Sequence, residues 1–341
     1  MPNNLVLAKN YEDLLDEVYK KVSVTADLIG DANMTRAGVN VNEICYPQIS
    51  VNGLGDYDRN SGYTDGSVSL EWKTVTFNYD RGTKISVDMM DDEETFNIAF
   101  GRAGAELMRT KVAPEADAFT FATLAGIAGI SKAAPATYSD ASAFLAALLE
   151  AKNVMDEDEV PEEGRILYAT PTLLNGIMAL DTTKSREILS TFSVKKSVPQ
   201  SRFYTAIDLL DGKSAGEEAG HYKKGASKYY KAASTDSGAL KVVANSATPS
   251  SGEIKLENVT PCVDGYTPQV NDYVLTAEGK DINFMIIHKP AIIKFDKHIA
   301  RDVIQPSNNP DSDAYILKYR KYGLVDAYKN KVAGIYLSHK A

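Results

Sequence analysis

The sequence predicts an α+β protein of about two domains, and three observations carry that prediction. Alternating apolar residues between Ser67 and Met89 read as an extended β-ribbon. The ribbon leads directly into a long helical pattern that opens on four consecutive acids, Asp91, Asp92, Glu93 and Glu94. Farther along, short apolar strand-like runs alternate with capped helical ones, the mark of a small α/β or α+β unit. With 341 residues, 44% of them hydrophobic, the chain can bury a full core.

Taken in order, Tyr11 to Ile29 carries Leu14, Leu15, Val18, Val22 and Leu28 at helical spacing between charges, which predicts an amphipathic helix. Asn33 to Tyr63 holds Gly, Asn and Asp with only short apolar runs (Val39, Val41, Ile44), as in an extended arm or long loop that gains order on a neighbour. In the ribbon, Val68, Leu70 and Trp72 share one face, and Val75, Phe77 and Tyr79 alternate in the opposite phase. That slip predicts a bulge or bend near Lys73 and Thr74. Asp80-Arg81-Gly82 supplies turn residues and Ile85, Val87 and Met89 a second strand, giving strand, turn, strand.

A long helix is expected from about Asp92, with Phe96, Phe100, Ala103 and Leu107 on one stripe. Its acids would meet unpaired N–H groups and the positive end of the helix dipole, each interaction worth about 0.3–1 kcal/mol. Pro114 should end or kink it, and Glu115 to Ala128 resumes a helical pattern through Ala118, Phe121, Ala122 and Ala125. Ser139-Asp140 caps a further helix carrying Phe144, Leu145, Leu148, Leu149 and Lys152, which stops before Pro161. Arg165 to Ala169 reads as a strand, and Thr170-Pro171 opens a helix with Leu173, Leu174, Ile177 and Met178. Phe203 to Leu210 reads as another strand. Ala232 to Gly279, with short runs such as Leu240 to Val243, reads as a β-rich insertion. Phe284 to Ile287 and Ala291 to Phe295 flank His288-Lys289-Pro290 as strands, and Tyr315, Tyr319, Tyr322 and Tyr328 precede Val332 to Leu337. No repeat period points to a solenoid.

The 37 basic against 46 acidic residues give a formal charge of −9, which argues against wrapping nucleic acid by bulk electrostatics. Two cysteines, Cys45 and Cys262, in a chain this long suit a reducing compartment. The first ten residues lack the features of a secretory signal, so Asn258-Val259-Thr260 is a chance glycosylation match, and no apolar run is long enough to predict a membrane span. Asp88 and Asp91 to Glu94 could be imagined around a hard cation, but successive helical side chains diverge and no loop-ligand spacing is present, so capping is the reading. The six acids between Met155 and Glu163 read as a solvated loop. His221, His288, His298 and His339 form no ligand pair, Gly101-Arg102-Ala103-Gly104 lies inside the helical stripe, and no nucleophile elbow or phosphate loop occurs. No catalytic, cofactor-binding or metal residue is therefore assigned, and no enzyme is expected. The terminal tyrosines beside Lys318, Arg320 and Lys321 read as packing rather than base stacking.

The ribbon Val68 to Met89, the helix Asp92 to Arg109 continuing through Ala113-Pro114-Glu115-Ala116-Asp117-Ala118, the segment Arg165-Ile166-Leu167-Tyr168-Ala169-Thr170-Pro171, His288-Lys289-Pro290-Ala291, and Asn330-Lys331-Val332-Ala333-Gly334-Ile335-Tyr336 together resemble major capsid proteins of tailed bacteriophages, the Hong Kong 97 type of shell protein. The resemblance spans most of the chain and is weakest from Lys223 to Lys280. It implies an N-terminal helix and arm (1–50), an extension loop formed by the β-ribbon (51–91), a peripheral domain with a spine helix (92–138), an axial domain with a β-rich insertion at about 223–280 (139–290), and a C-terminal return (291–341). It also implies inter-subunit roles for Tyr57, Asp58, Arg59, Tyr63, Trp72, Arg81, Lys84, Glu93, Glu94, Arg102 and Arg109.

By the same likeness the partners would be copies of the chain, as hexamers and pentamers of an icosahedral head in the virion. The head would assemble in the bacterial cytoplasm with portal and scaffolding proteins, enclosing double-stranded DNA without sequence-specific binding, and would involve no membrane or cofactor. A helix starting at Tyr11 leaves little room for a cleaved scaffolding segment, so a separate scaffolding protein or none is expected. An encapsulin-like compartment shell is the alternative, and an α/β enzyme the more distant one.

Overall fold

The structure is a computed structural model that describes residues 23–29, 36–37, 43–57, 59, 65–94, 98–180, 182–210, 212–213, 220–225, 230–232, 240–250, 252–261, 267–274 and 279–341. The helix expected from Tyr11 lies outside them up to residue 22. Its remainder is a single 3₁₀ turn, Ala26–Leu28, with Val24 and Leu28 buried.

The ribbon is real, but its second strand comes from the arm and not from beyond the expected turn. Strands β1 (Glu43–Val51) and β2 (Val68–Thr76) pair antiparallel over their whole length, with Glu43 opposite Thr76 and Val51 opposite Val68. The register runs through Lys73 and Thr74 without a break, so the expected bulge is absent. Asp80, Arg81 and Gly82 lie inside β3 (Tyr79–Asp88), which pairs with a strand from the far end of the chain, Arg81 opposite Lys321 and Gly82 opposite Arg320. Turn chemistry lost here to tertiary pairing. Gly82 serves close approach instead of reversal, because a Cβ there would stand 2.9 Å from the Tyr319 carbonyl oxygen.

The helical run is divided into α1 (Met89–Glu94), α2 (Ile98–Leu107), a wide π turn (Met108–Val112) and α3 (Ala113–Gly126). The cap that opens α1 is Asp88, whose Oδ1 accepts the Met90 N–H at 2.9 Å; of the four acids that follow, Asp91 and Asp92 lie in the first turn of α1 and Glu93 and Glu94 at its end. Pro114 neither ends nor visibly interrupts the helix. Leu107, Val112 and Ala113 all keep right-handed helical angles, and the π turn just ahead gives the proline ring room that an unbroken i→i−4 ladder would deny it.

Asp140 caps α4 (Ala141–Glu157) through Oδ1 and the Ala143 N–H at 2.7 Å. There follow β4 (Arg165–Ala169), α5 (Pro171–Leu180), α6 (Thr183–Ser190) and β5 (Val194–Ser197). The strand expected over Phe203 to Leu210 shrinks to Ile207–Leu209, paired with Tyr222–Lys224, because Gln200–Arg202 turns the chain and buries Phe203. Among its described residues the segment read as an insertion holds five short strands, ordered 253–255, 240–243, 273–274, 230–232 and 259–261. Strands β6 (Ile282–His288), β7 (Ile292–Ile304), β8 (Ala314–Ala327) and β9 (Ile335–His339) complete the chain.

Two sheets carry the body. In one, 131–132, β9, β6, β4 and β5 lie side by side; in the other, β7, β8 and β3. On β6, Met285 and Ile287 join Phe121, Leu124 and Tyr168 in one core, whereas Phe284 and Ile286 join Phe144, Leu148 and Ile177 in a second. Helix α3 thus covers one face of this sheet, and α4 and α5 the other. Coverage of both faces is why β4 and β6 read as unbroken apolar runs.

Candidate assembly surfaces

In the outer half of the ribbon Pro47 stands opposite Trp72, Ile49 opposite Leu70 and Val51 opposite Val68. Directly opposed residues, and residues two apart on a strand, share a face, so these six form one apolar ladder. Ile49 is 63% exposed, Val51 66%, Val68 71%, Leu70 55% and Trp72 50%. The opposite face carries Gln48, Ser50, Ser69 and Glu71, with Lys73 bonded to Glu71 at 2.5 Å. A short third strand, residues 36–37, pairs at the base of the ribbon opposite Cys45 and Ile44. The outer half is two-stranded, an arrangement marginal in water on its own, and it leaves its larger apolar side chains exposed.

The base of the ribbon uses its other face. Ile44, Tyr46, Val75 and Phe77 pack with Ile293, Leu324, Phe295 and Tyr328. This explains the phase change without a bulge: one face is buried at the base and the other is apolar at the tip. Phe77 stacks on Tyr322 with centroids 4.7 Å apart, Lys297 lies 4.9 Å over Phe77, and Tyr46 meets Tyr328 edge-on at 4.9 Å. Asn78 then imitates a strand residue with its side chain, donating to the Val325 carbonyl at 2.9 Å and accepting its N–H at 3.1 Å.

Two carboxylates on α3 lock β3 and the N-terminal strap, residues 23–25, to that helix. Glu115 accepts from Tyr79 Oη at 3.0 Å and from Arg81 at 2.8 and 3.2 Å, while Arg81 also reaches the Leu210 carbonyl at 2.7 Å. Burial, followed by the Glu115 charge, pushes the Tyr79 phenol well above its usual range. Asp117, wholly buried, accepts from Ser23 Oγ (2.7 Å), Val24 N–H (3.0 Å), Thr25 N–H (3.1 Å), Thr25 Oγ1 (2.7 Å) and Arg202 (3.0 Å). Lys294 completes the clasp, donating to the Thr25 carbonyl at 3.1 Å and Oγ1 at 2.7 Å. Burial, then the nearby Lys321, lowers the Lys294 ammonium to about 8 against the pull of Asp117 and Asp296. Sequence reasoning assigned Glu115, Asp117, Arg202 and Lys294 no role. The readable signal was two acids two residues apart in an otherwise apolar helix.

Of the eleven residues expected between subunits, Tyr57 is 60% exposed and Trp72 50% exposed, and Arg59, Lys84, Glu93, Glu94 and Arg102 are exposed as well. Arg81 is half-buried and held by Glu115, and Arg109 pairs with Glu106 one turn away. Asp58 and Tyr63 fall outside the described residues. Tyr319 is buried and Tyr322 and Tyr328 are in aromatic pairs, which is the packing role expected of them. Cys45 is a free thiol. Among the described residues no group of three His, Cys, Asp or Glu is placed to hold a metal ion, and no helix is long and apolar enough to cross a membrane.

Comparison with protein-family models and with curated proteins found no match. Solved structures do match, over nearly the whole chain. A structure from Mycobacterium phage Che8 is 14% identical with a TM-score of 0.52, covering 99% of this chain and 98% of its own. The capsid structure of cyanophage P-SCSP1u is 10% identical at 0.55, covering 98% and 93%. The mature capsid of bacteriophage PhiM1 is 11% identical at 0.56, covering 98% and 92%. The chain has the fold of phage major capsid proteins, as the sequence resemblance implied. At these identities the likeness is one of architecture.

Proposed function

We propose that this chain is the coat subunit of an icosahedral head, assembled from copies of itself as hexamers and pentamers and enclosing the double-stranded DNA of a tailed phage. The observation that carries the reading is the exposed ladder of Pro47, Ile49, Val51, Val68, Leu70 and Trp72 on a ribbon that, among the described residues, is anchored at its base. An apolar face of this kind gains stability only against another surface, and a neighbouring subunit in a closed symmetric array supplies one at every position. In this reading the ribbon overlies an adjacent copy, α2 and α3 form the spine of a peripheral domain, and residues from about 139 build the axial domain. Likeness to the phage capsid structures supports it. The acidic balance of −9 suits a wall that contains DNA without gripping it. Portal and scaffolding proteins are the further partners, and the role is structural, without catalysis.

Negative-stain electron microscopy of the purified chain tests this. Closed shells, hexamers or pentamers are expected; a strictly monomeric or dimeric particle at high concentration would overturn it. Deleting residues 57–65 at the ribbon tip should block assembly while the far-ultraviolet circular dichroism and melting temperature stay those of the full chain. Normal shells from that deletion would refute the role given to the ribbon. Neighbouring genes for a portal, large terminase and tail separate a phage head from an encapsulin-like shell.

A further inference from the structure

On the sheet β7-β8-β3, Asp302, Lys318 and Lys84 stand in one cross-strand row, so the two lysines are directly opposed. Their flanking neighbours on β8, Leu317 and Tyr319, turn inward: Leu317 reaches Gly104 of α2, and Tyr319 is buried. Lys84 and Lys318 therefore point outward, and both are exposed. Opposed residues hold their Cβ atoms about 4.5–5.5 Å apart, so two like charges there repel. One row along, the same face shows what it does with a carboxylate, where Arg320 forks onto Asp80 at 2.9 and 2.7 Å. Asp302 faces Lys318 across the ladder, but neither lysine side chain is forked onto a carboxylate in this way among the described residues.

The matching acids lie at the end of α1, the short helix that follows the same strand. Glu93 and Glu94 are exposed there and have no side-chain partner among the described residues. Lys84 precedes the end of β3 by four residues, on the order of 13 Å along a strand, and among the described residues no ion pair joins the lysines to these acids. Surfaces that are complementary but displaced on one molecule match head to tail between copies, an arrangement that closes into rings.

We propose that Lys84 and Lys318 form a seat for the Glu93 and Glu94 carboxylates of a second copy, in a contact repeated round the shell. This rests on the shell reading above. One element is the ladder between β8 and the edge strand β3 and the other the short helix that follows β3, so the contact fixes orientation as well as charge.

The test is assembly of the full chain at low salt, followed by sedimentation and electron microscopy, with melting curves to verify folding. K84E/K318E and E93K/E94K should each fold and each lose shell yield about tenfold, because the defect recurs in every subunit. Combining all four changes restores the attraction with reversed signs and should restore yield. Wild-type yield from K84E/K318E, or no recovery in the quadruple variant while both doubles stay folded, overturns the proposal. If K84E/K318E does not fold, K84Q/K318Q replaces it: wild-type assembly should weaken with added salt and the Gln variant should have lost that dependence. An unchanged salt dependence also overturns it. A wild-type chain that assembles in none of these conditions sinks the shell reading itself, which keeps the two failures apart.

Discussion

Asp117→Ala is the sharpest test of how the N-terminal strap is held. The carboxylate is fully buried, and its removal takes one acceptor from five donors, among them the Arg202 guanidinium, whose side chain is only 3% exposed. Breaking a buried ion pair by deleting one partner leaves an uncompensated charge and costs about 3–5 kcal/mol. The backbone N–H groups of Val24 and Thr25 can recover water if the strap lifts, so part of that cost is relieved by local opening.

For 341 residues the unfolding entropy is about 0.7 kcal/mol/K, so a global loss of 3–5 kcal/mol lowers the melting temperature by about 4–7 °C. Differential scanning calorimetry reads the global part, and hydrogen exchange of residues 23–29 reads the local part. Faster exchange there with a smaller fall in melting temperature is the expected pattern. A melting temperature within about 1 °C of wild type together with unchanged exchange in the strap would refute the clasp.

Lys294 gives the pH counterpart. Its folded-state value of about 8 lies below its ordinary 10.5, so between those values the unfolded chain binds more protons and stability rises with pH. The span corresponds to a difference on the order of 3 kcal/mol, and denaturant titrations from pH 7.5 to 10.5 should show the rise in wild type and a flatter profile in Lys294→Met; parallel profiles would count against it. Asn78→Ala removes both bonds to Val325 at the ribbon base and should cost about 1–3 kcal/mol in urea unfolding. Loss of under about 0.3 kcal/mol would mean that the aromatic packing alone holds the base.

The α/β unit was the most legible part of the sequence. Its signals are local: Asp140 caps α4 and Pro171 opens α5, and β4 and β6 are continuous apolar runs because both faces are covered. Strand partnership was not legible. The turn residues Asp80-Arg81-Gly82 were read locally, yet Asp80 is held by Arg320, 240 residues away, and no local pattern encodes that pairing. Of the four clustered acids Asp91 and Asp92 do sit in the first turn, but the side-chain cap came from Asp88 just before them, and Glu115 and Asp117 two helices later hold the buried ionic contacts.

The ribbon shows why a correct pattern still permits a wrong partner. Alternation over Val68, Leu70 and Trp72 marks one apolar face, and over Val75 and Phe77 the other, and a slip between phases is normally repaired by a bulge inside one strand pair. Here the strand stays regular and its surroundings change: the chain's own body covers Val75 and Phe77, and none of the described residues covers Val68, Leu70 or Trp72. A phase slip without a bulge therefore implies two different covering surfaces for one strand. The first belongs to this chain, and in the shell reading proposed above the second belongs to a neighbouring copy.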